Sequence, residues 1–232
     1  QCIILLHFVQ VLDLTEYYID YIIAETFASN IDWPGNNGVI MKNMSANPIE
    51  GAATDGRWRF VPYDLDWSYG SLGAYYDDTF AHILGLEPNY PNPNDPDGGD
   101  WSINPPESTL FFRKISQNAE FRQKFLDRYL YCLNTVFDEG RLTAIANRFA
   151  DEMRKYQPMQ RDRWDKEYQV WLNSLNTLQQ FINNREGYIL QFLDKHFALG
   201  QPTDLIVYGN AELGATSIRF GDETIVNAHH DQ

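Results

Sequence analysis

A chain of 232 residues with 44% hydrophobic and 15% aromatic residues is long and apolar enough to bury a core, which excludes a disordered segment. Its 32 acidic residues against 18 basic ones leave a net charge of −14, a balance that disfavours nucleic-acid backbones and anionic membrane surfaces as partners. Two cysteines, Cys2 and Cys132, are too few for a disulfide framework and lack metal-ligand spacing, so both read as buried thiols.

The apolar run from Cys2 to Leu12 is interrupted by His7 and Gln10; it has neither the length of a bilayer span nor the basic start and cleavage site of a signal peptide. Leu14, Tyr18, Tyr21, Ile22 and Thr26 then recur at three-to-four spacing and predict a helix from Leu14 to Phe27, with Asp13 as its N-cap. It should stop near Ser29 and Asn30, because Pro34 and Gly35 follow. A loop, Asn30-Ile-Asp-Trp-Pro-Gly-Asn-Asn37, leads into a short strand, Val39–Met41. Residues 43–56 lack periodicity and read as a surface insertion, after which residues 57–63 alternate and predict a second strand paired with 39–42. That strand runs directly into Asp64-Leu-Asp-Trp-Ser-Tyr-Gly70.

Residues 85–107 are Pro-rich and read as loop. Asp95, Asp97 and Asp100 within it lack the closing Glu and spacing of a calcium hand, so they read as solvated. From Ser108 to Phe197 the pattern is helical, with breaks expected near Ser116-Gln117, Asp138–Gly140, Gln157-Pro158 and Leu172-Asn173. Leu175, Leu178, Ile182, Ile189, Phe192 and Leu193 stripe the last helix. Beyond Gly200-Gln-Pro202, strands are expected at Leu205–Tyr208 and Thr216–Phe220. The fold class is therefore α+β, predominantly α-helical, with a small β-hairpin.

The residue types suited to chemistry sit around that hairpin. Asp32 and Asn37, five apart in one loop, let a carboxylate face an incoming hydroxyl while an amide oxygen reaches a metal. Asp64 and Asp66 supply a second carboxylate pair where the next hairpin strand ends. Protein kinases use this order of helix, Asp-x4-Asn, two strands and Asp for phosphoryl transfer. Each pair taken alone also suits a turn or a helix cap. Trp33 and Trp67 flank the acidic residues and fit a pocket wall and core packing equally well. His7, His82 and His196 read as structural, and His229 and His230 as a frayed end.

Asn30–Asn37 followed by Trp58-Arg-Phe-Val-Pro-Tyr-Asp-Leu-Asp-Trp67 resembles the CotH (spore coat protein H) family of atypical protein kinases. The similarity continues through Phe111–Arg128, Phe137–Gly140, Arg163-Trp164 and Asn183–Leu190, covering residues 12–198. The resemblance implies a kinase-like C-lobe with a helical bundle over residues 1–200, and a small β tail or the start of a further domain over 201–232. It implies Asp32 as catalytic base, Asn36 and Asn37 at the cofactor, and Asn37, Asp64 and Asp66 as ligands of Mg²⁺ or Mn²⁺. ATP would be the phosphoryl donor and a Ser or Thr of a protein partner the acceptor, with the bacterial envelope, cell surface or spore coat as the setting. Only residues 1–13 precede the first helix, so an amino-terminal lobe is expected to be missing from this chain or supplied by another. Lys42, in a run that mimics the kinase lysine signature, follows the loop it should precede and reads as a decoy. Two other classes compete: a non-catalytic coat or surface scaffold, and a carbohydrate-binding protein suggested by aromatic rings beside carboxylates.

Overall fold

The computed structural model describes residues 15–44, 47, 49, 55–86, 90–91, 100–101, 106–165, 167–199, 218–220 and 223–225, and it is predominantly helical with short antiparallel hairpins. Helix α1 (Thr15–Ala28) is the element the others pack around. The stripe expected on one face turns out to be burial nearly all round. Tyr18, Ile19, Tyr21, Ile22, Ile23, Phe27 and Ala28 are in the core, together with Glu25 and Thr26. A helix apolar on every side needs a neighbour on every side.

One neighbour is the expected hairpin. Strand β1 (Val39–Lys42) pairs antiparallel with β2 (Trp58–Val61), with Ile40 opposite Phe60. The Phe60 ring lies 4.8 Å from Tyr18 and 5.2 Å from Tyr21. A short helix not anticipated from the sequence, α2 (Thr79–Ile83), follows; the Asp78 carboxylate caps it by accepting the Ala81 N–H at 3.0 Å. The region read as loop contains β3 (Tyr90–Pro91) paired antiparallel with β4 (Asp100–Trp101). Two-residue strands give no alternation to detect. Asp95 and Asp97 lie outside the described residues.

Helices α3 (Pro106–Ile115), α4 (Ala119–Leu133), α5 (Glu139–Arg154) and α6 (Gln157–Trp164) break where expected at 116–117, 138–140 and 157–158. Asn118 and Asp138 cap α4 and α5, accepting N–H bonds from Phe121 at 3.0 Å and Arg141 at 2.8 Å. Pro158 sits in the first turn of α6, where its missing N–H costs nothing. The break expected at Leu172-Asn173 does not occur, and α7 runs from Tyr168 to Phe197 without interruption. Its polar residues turn back onto the helix instead of breaking it. Ser174 donates to the Val170 carbonyl at 3.0 Å, and Thr177 to the Asn173 carbonyl at 3.1 Å. In the tail, β5 (Ile218–Phe220) pairs with β6 (Glu223–Ile225), while Leu205–Tyr208 and the Asp13 cap fall outside the described residues. Cys132 is buried and not in a disulfide, and among the described residues no helix is long and apolar enough to cross a membrane.

The contact that joins α7 to α1 is a buried cation. Arg185 is fully buried within the apolar stripe of α7, between Ile182 and Ile189. Its Nε donates to the Phe27 carbonyl at 3.0 Å. Nη1 donates to the carbonyls of Tyr75 and Asp77 at 2.7 and 2.9 Å. Nη2 donates to the Thr26 carbonyl at 2.6 Å and the Thr79 hydroxyl at 3.0 Å. Every donor of the guanidinium has an acceptor. Burial pushes its pKa down to about 10, against the opposing pull of Tyr129, Asp77 and Asp78, so it stays charged at neutral pH. Two of the acceptors are last-turn carbonyls of α1, where the helix dipole favours a cation and no intrahelical partner exists.

Arg185→Met should therefore take the donor from the carbonyls of Phe27 and Tyr75, while those of Thr26 and Asp77 keep other donors, and cost at least about 3 kcal/mol. Arg185→Lys should recover only a minority of that, because an ammonium cannot reproduce the planar fork. Urea unfolding measures both; a loss below about 1 kcal/mol for Arg185→Met would mean the network contributes little.

Candidate functional site

The end of α1 sets the site. Ser29 leaves the helix with φ 56°, in the left-handed region, and turns the chain into the loop that carries Asp32. Asn30 points inward and is almost fully buried. Its Nδ2 donates to Glu25 Oε2 at 2.9 Å, and its Oδ1 accepts the Asp32 N–H at 3.3 Å. Trp33, buried beside Asp32 and joined to Pro34 by a cis peptide, is held at both ends. Its indole N–H donates to the Tyr21 hydroxyl, and its carbonyl accepts from Nε2 of His82 on α2. His82 is thus structural, as its setting suggests, and its task is to anchor this loop.

Held in this way, the Asp32 carboxylate gathers the two amides downstream. Asn36 Nδ2 donates to Oδ1 at 2.8 Å and Asn37 Nδ2 to Oδ2 at 2.7 Å, while the Asn36 N–H closes a turn onto the Asp32 carbonyl at 3.0 Å. Asn37 adopts φ 56° to make the reach. Each carboxylate oxygen keeps a second lone pair, and each amide keeps its oxygen.

The second carboxylate pair is docked onto the same helix end. Asp64, just past β2, also takes φ 56°, and the turn beyond it folds back on α1. The Tyr69 N–H donates to the Ala28 carbonyl at 2.8 Å. Gly73 approaches Ser29 so closely that a Cβ there would lie 1.7 Å from the Ser29 carbonyl oxygen, so only glycine fits. The outcome is a carboxylate pair, Asp64 and Asp66, on which the charge of Asp32 also acts. The charge of Asp66 is the main reason the Asp64 carboxyl titrates above its ordinary range; desolvation, a hydrogen bond with Asp66 and the charge of Asp32 add to it. Asp64 and Asp66 are exposed, and Asp32 and Asn37 half-buried.

The nearest basic residues serve other tasks. Arg59 forms a bidentate pair with Asp55, both bonds at 2.8 Å, and stacks over Tyr17 at 4.6 Å. That pairing, chiefly the hydrogen bonds from Arg59, lowers the Asp55 carboxyl to about 2. Lys42 lies 5.6 Å over the ring of Trp58, its cross-strand partner.

Among the described residues no group of three or more His, Cys, Asp or Glu side chains is arranged as a metal cluster. The donor set nevertheless fits a hard divalent cation bound with a substrate. Mg²⁺ is commonly held by one or two carboxylates plus phosphate oxygens and water. The Asp66 charge acts chiefly on Asp64, a repulsion that a cation between the two carboxylates would relieve. Asn37 Oδ1 is a further oxygen donor. A cavity of about 590 Å³ lies behind this face, walled by Tyr18, Tyr21, Trp33, Phe60, Phe111 and Phe112 among others, and none of the acidic residues lines it. It is an aromatic space beneath the loop, whereas the acidic site is an open, shallow face. Trp33 serves both roles left open by the sequence, packing in the core and walling that cavity.

Three supporting residues escape a reading of spacing alone. Glu25 and Arg185 occupy apolar register positions, and Asn30 looks like a helix terminator; the only signal was a polar residue where the period demands an apolar one.

The family model described as CotH kinase protein matches residues 7–189. No curated protein and no solved structure matches the chain.

Asp66→Asn should lower the Asp64 titration midpoint toward the ordinary carboxylate range, because it removes the nearest like charge. Carboxyl carbon NMR would follow it; an unchanged midpoint would mean that the two side chains do not interact.

Proposed function

Since this chain belongs to the CotH kinase protein family, matching its model over residues 7–189, we propose that it transfers the γ-phosphoryl group of ATP to a Ser or Thr hydroxyl of a protein partner. The observation that carries the reading is Asp32, gripped by two amides, with its charge felt at the Asp64–Asp66 pair. Asp32 accepts the hydroxyl proton as the oxygen attacks the γ-phosphorus, and ADP leaves with the electrons of the broken P–O bond. The amides of Asn36 and Asn37 fix the carboxylate so that its free lone pairs face the incoming hydroxyl. Asn37, Asp64 and Asp66 would hold Mg²⁺ or Mn²⁺, which when bound neutralises charge on the phosphates. A coat, surface or other envelope protein is the partner this family membership suggests.

A second reading, a non-catalytic scaffold, has one observation on its side. Phe149, Met153, Tyr156, Met159 and Trp164 are exposed along α5 and α6, an apolar display that suits a binding surface. Metal-dependent nucleotide affinity separates the two, since a scaffold needs none.

Transfer of labelled phosphate from ATP to a mixture of Ser- and Thr-containing proteins, with Mn²⁺ present, tests the reading. Asp32→Ala should reduce it by at least about a hundredfold without unfolding the chain. Wild-type rates in that variant would remove Asp32 from the mechanism.

A further inference from the structure

Glu25 is the acidic side chain of α1 that the core encloses completely, and nothing in the proposed reaction uses it. Its Oε2 accepts the Asn30 amide at 2.9 Å; its Oε1 is buried without a partner, as is the Ser29 hydroxyl four residues on. Nature rarely leaves a buried carboxyl oxygen unpaired in a helix this apolar without a use for it. The other oxygen opens a short path: Glu25 to Asn30, and Asn30 Oδ1 to the Asp32 N–H at 3.3 Å. Two hydrogen bonds thus link a buried ionisable group to the backbone of the proposed base.

We propose that Glu25 is a positioning residue for Asp32, whose ionisation tightens its grip on Asn30 and so couples the acidic site to pH. The inference rests on the phosphoryl-transfer reading for its catalytic meaning. A carboxylate accepts an amide hydrogen bond more strongly than a carboxylic acid does, so the ionised form holds Asn30 and the start of the loop more firmly. Burial pushes the Glu25 carboxyl up to about 7, against the Asn30 bond, which lowers it.

Among the described residues, the neighbouring charged and titratable groups are engaged elsewhere. Tyr21 on the same helix and Tyr69 from the 67–73 turn feel the Glu25 charge. Arg185 of α7 is engaged on the neighbouring carbonyls of Thr26 and Phe27. His82 of α2 is engaged on the Trp33 carbonyl, and Tyr129 of α4 shares a hydrogen bond with the Thr26 hydroxyl. Arg59 of β2 is paired with Asp55. The stability consequence has a definite sign. The folded pKa exceeds the ordinary 4.5, so the contribution is complete below about 4.5 and is lost as pH rises through about 7. Tightening the loop therefore costs the fold some stability.

Glu25→Gln keeps the shape and the acceptor for Asn30 but cannot ionise. In the wild-type chain, the Asn30 side-chain amide and Asp32 backbone amide NMR signals should titrate together with a midpoint near 7. In Glu25→Gln that common step should vanish, and its melting temperature should gain on wild type as pH rises from 5 to 8. The kcat for phosphoryl transfer should fall roughly tenfold at pH 8 with KM for ATP unchanged, because the base is displaced while the nucleotide contacts remain. The same common step in Glu25→Gln, or no step in wild type, overturns the proposal. Should the variant fail to fold, the wild-type titration alone decides. A chain that titrates as expected but transfers no phosphate at any pH would sustain the Glu25–Asn30–Asp32 link and remove the phosphoryl-transfer reading instead.

Discussion

The five hydrogen bonds of Arg185 are the constraint on which the rest of the structure depends. A guanidinium without solvent access must satisfy all its donors, and it does so on the last turn of α1 and on the turn that runs into α2. That fixes where α1 ends. The two loops that bear the acidic residues both hang from this end, one continuing from Ser29 and Asn30, the other bonded to it through Tyr69 and pressed against it at Gly73. The site is thus assembled at a helix terminus whose supporting residues are buried, while Asn36, Asp64 and Asp66 are exposed.

Such an arrangement has an electrostatic cost. Asp32, Asp64 and Asp66 repel one another, and the arginine of the neighbouring strand is committed to Asp55. Asn36 and Asn37 offset part of the cost by donating to Asp32. What remains is repulsion that a divalent cation between the carboxylates would relieve. Beneath the loop, the aromatic packing of Tyr21, Trp33 and Phe60 supplies rigidity.

Much of this was legible in the sequence where local rules govern. The hairpin showed in the alternation of 57–63, the helix breaks in Ser116-Gln117, Asp138–Gly140 and Gln157-Pro158, and the acidic residues in the order helix, Asp-x4-Asn, strand, strand, Asp. What was hidden depends on burial rather than spacing. Arg185 and Glu25 occupy positions that the helical period assigns to apolar side chains, and only the packed structure shows what they hold. The expected break at Leu172-Asn173 failed because Ser174 and Thr177 satisfy themselves on their own helix, which composition alone does not reveal. Helix α2, five residues long, carries too little pattern to read.

The central claim is that this helix end presents Asn37, Asp64 and Asp66 as one divalent-cation site, and substoichiometric Mn²⁺ tests it most directly. Paramagnetic broadening should first erase the NMR signals of Asn37, Asp64 and Asp66 and of the residues beside them, and Asp64→Asn combined with Asp66→Asn should abolish that pattern. Broadening spread evenly over the acidic surface, or surviving unchanged in the double variant, would contradict the account.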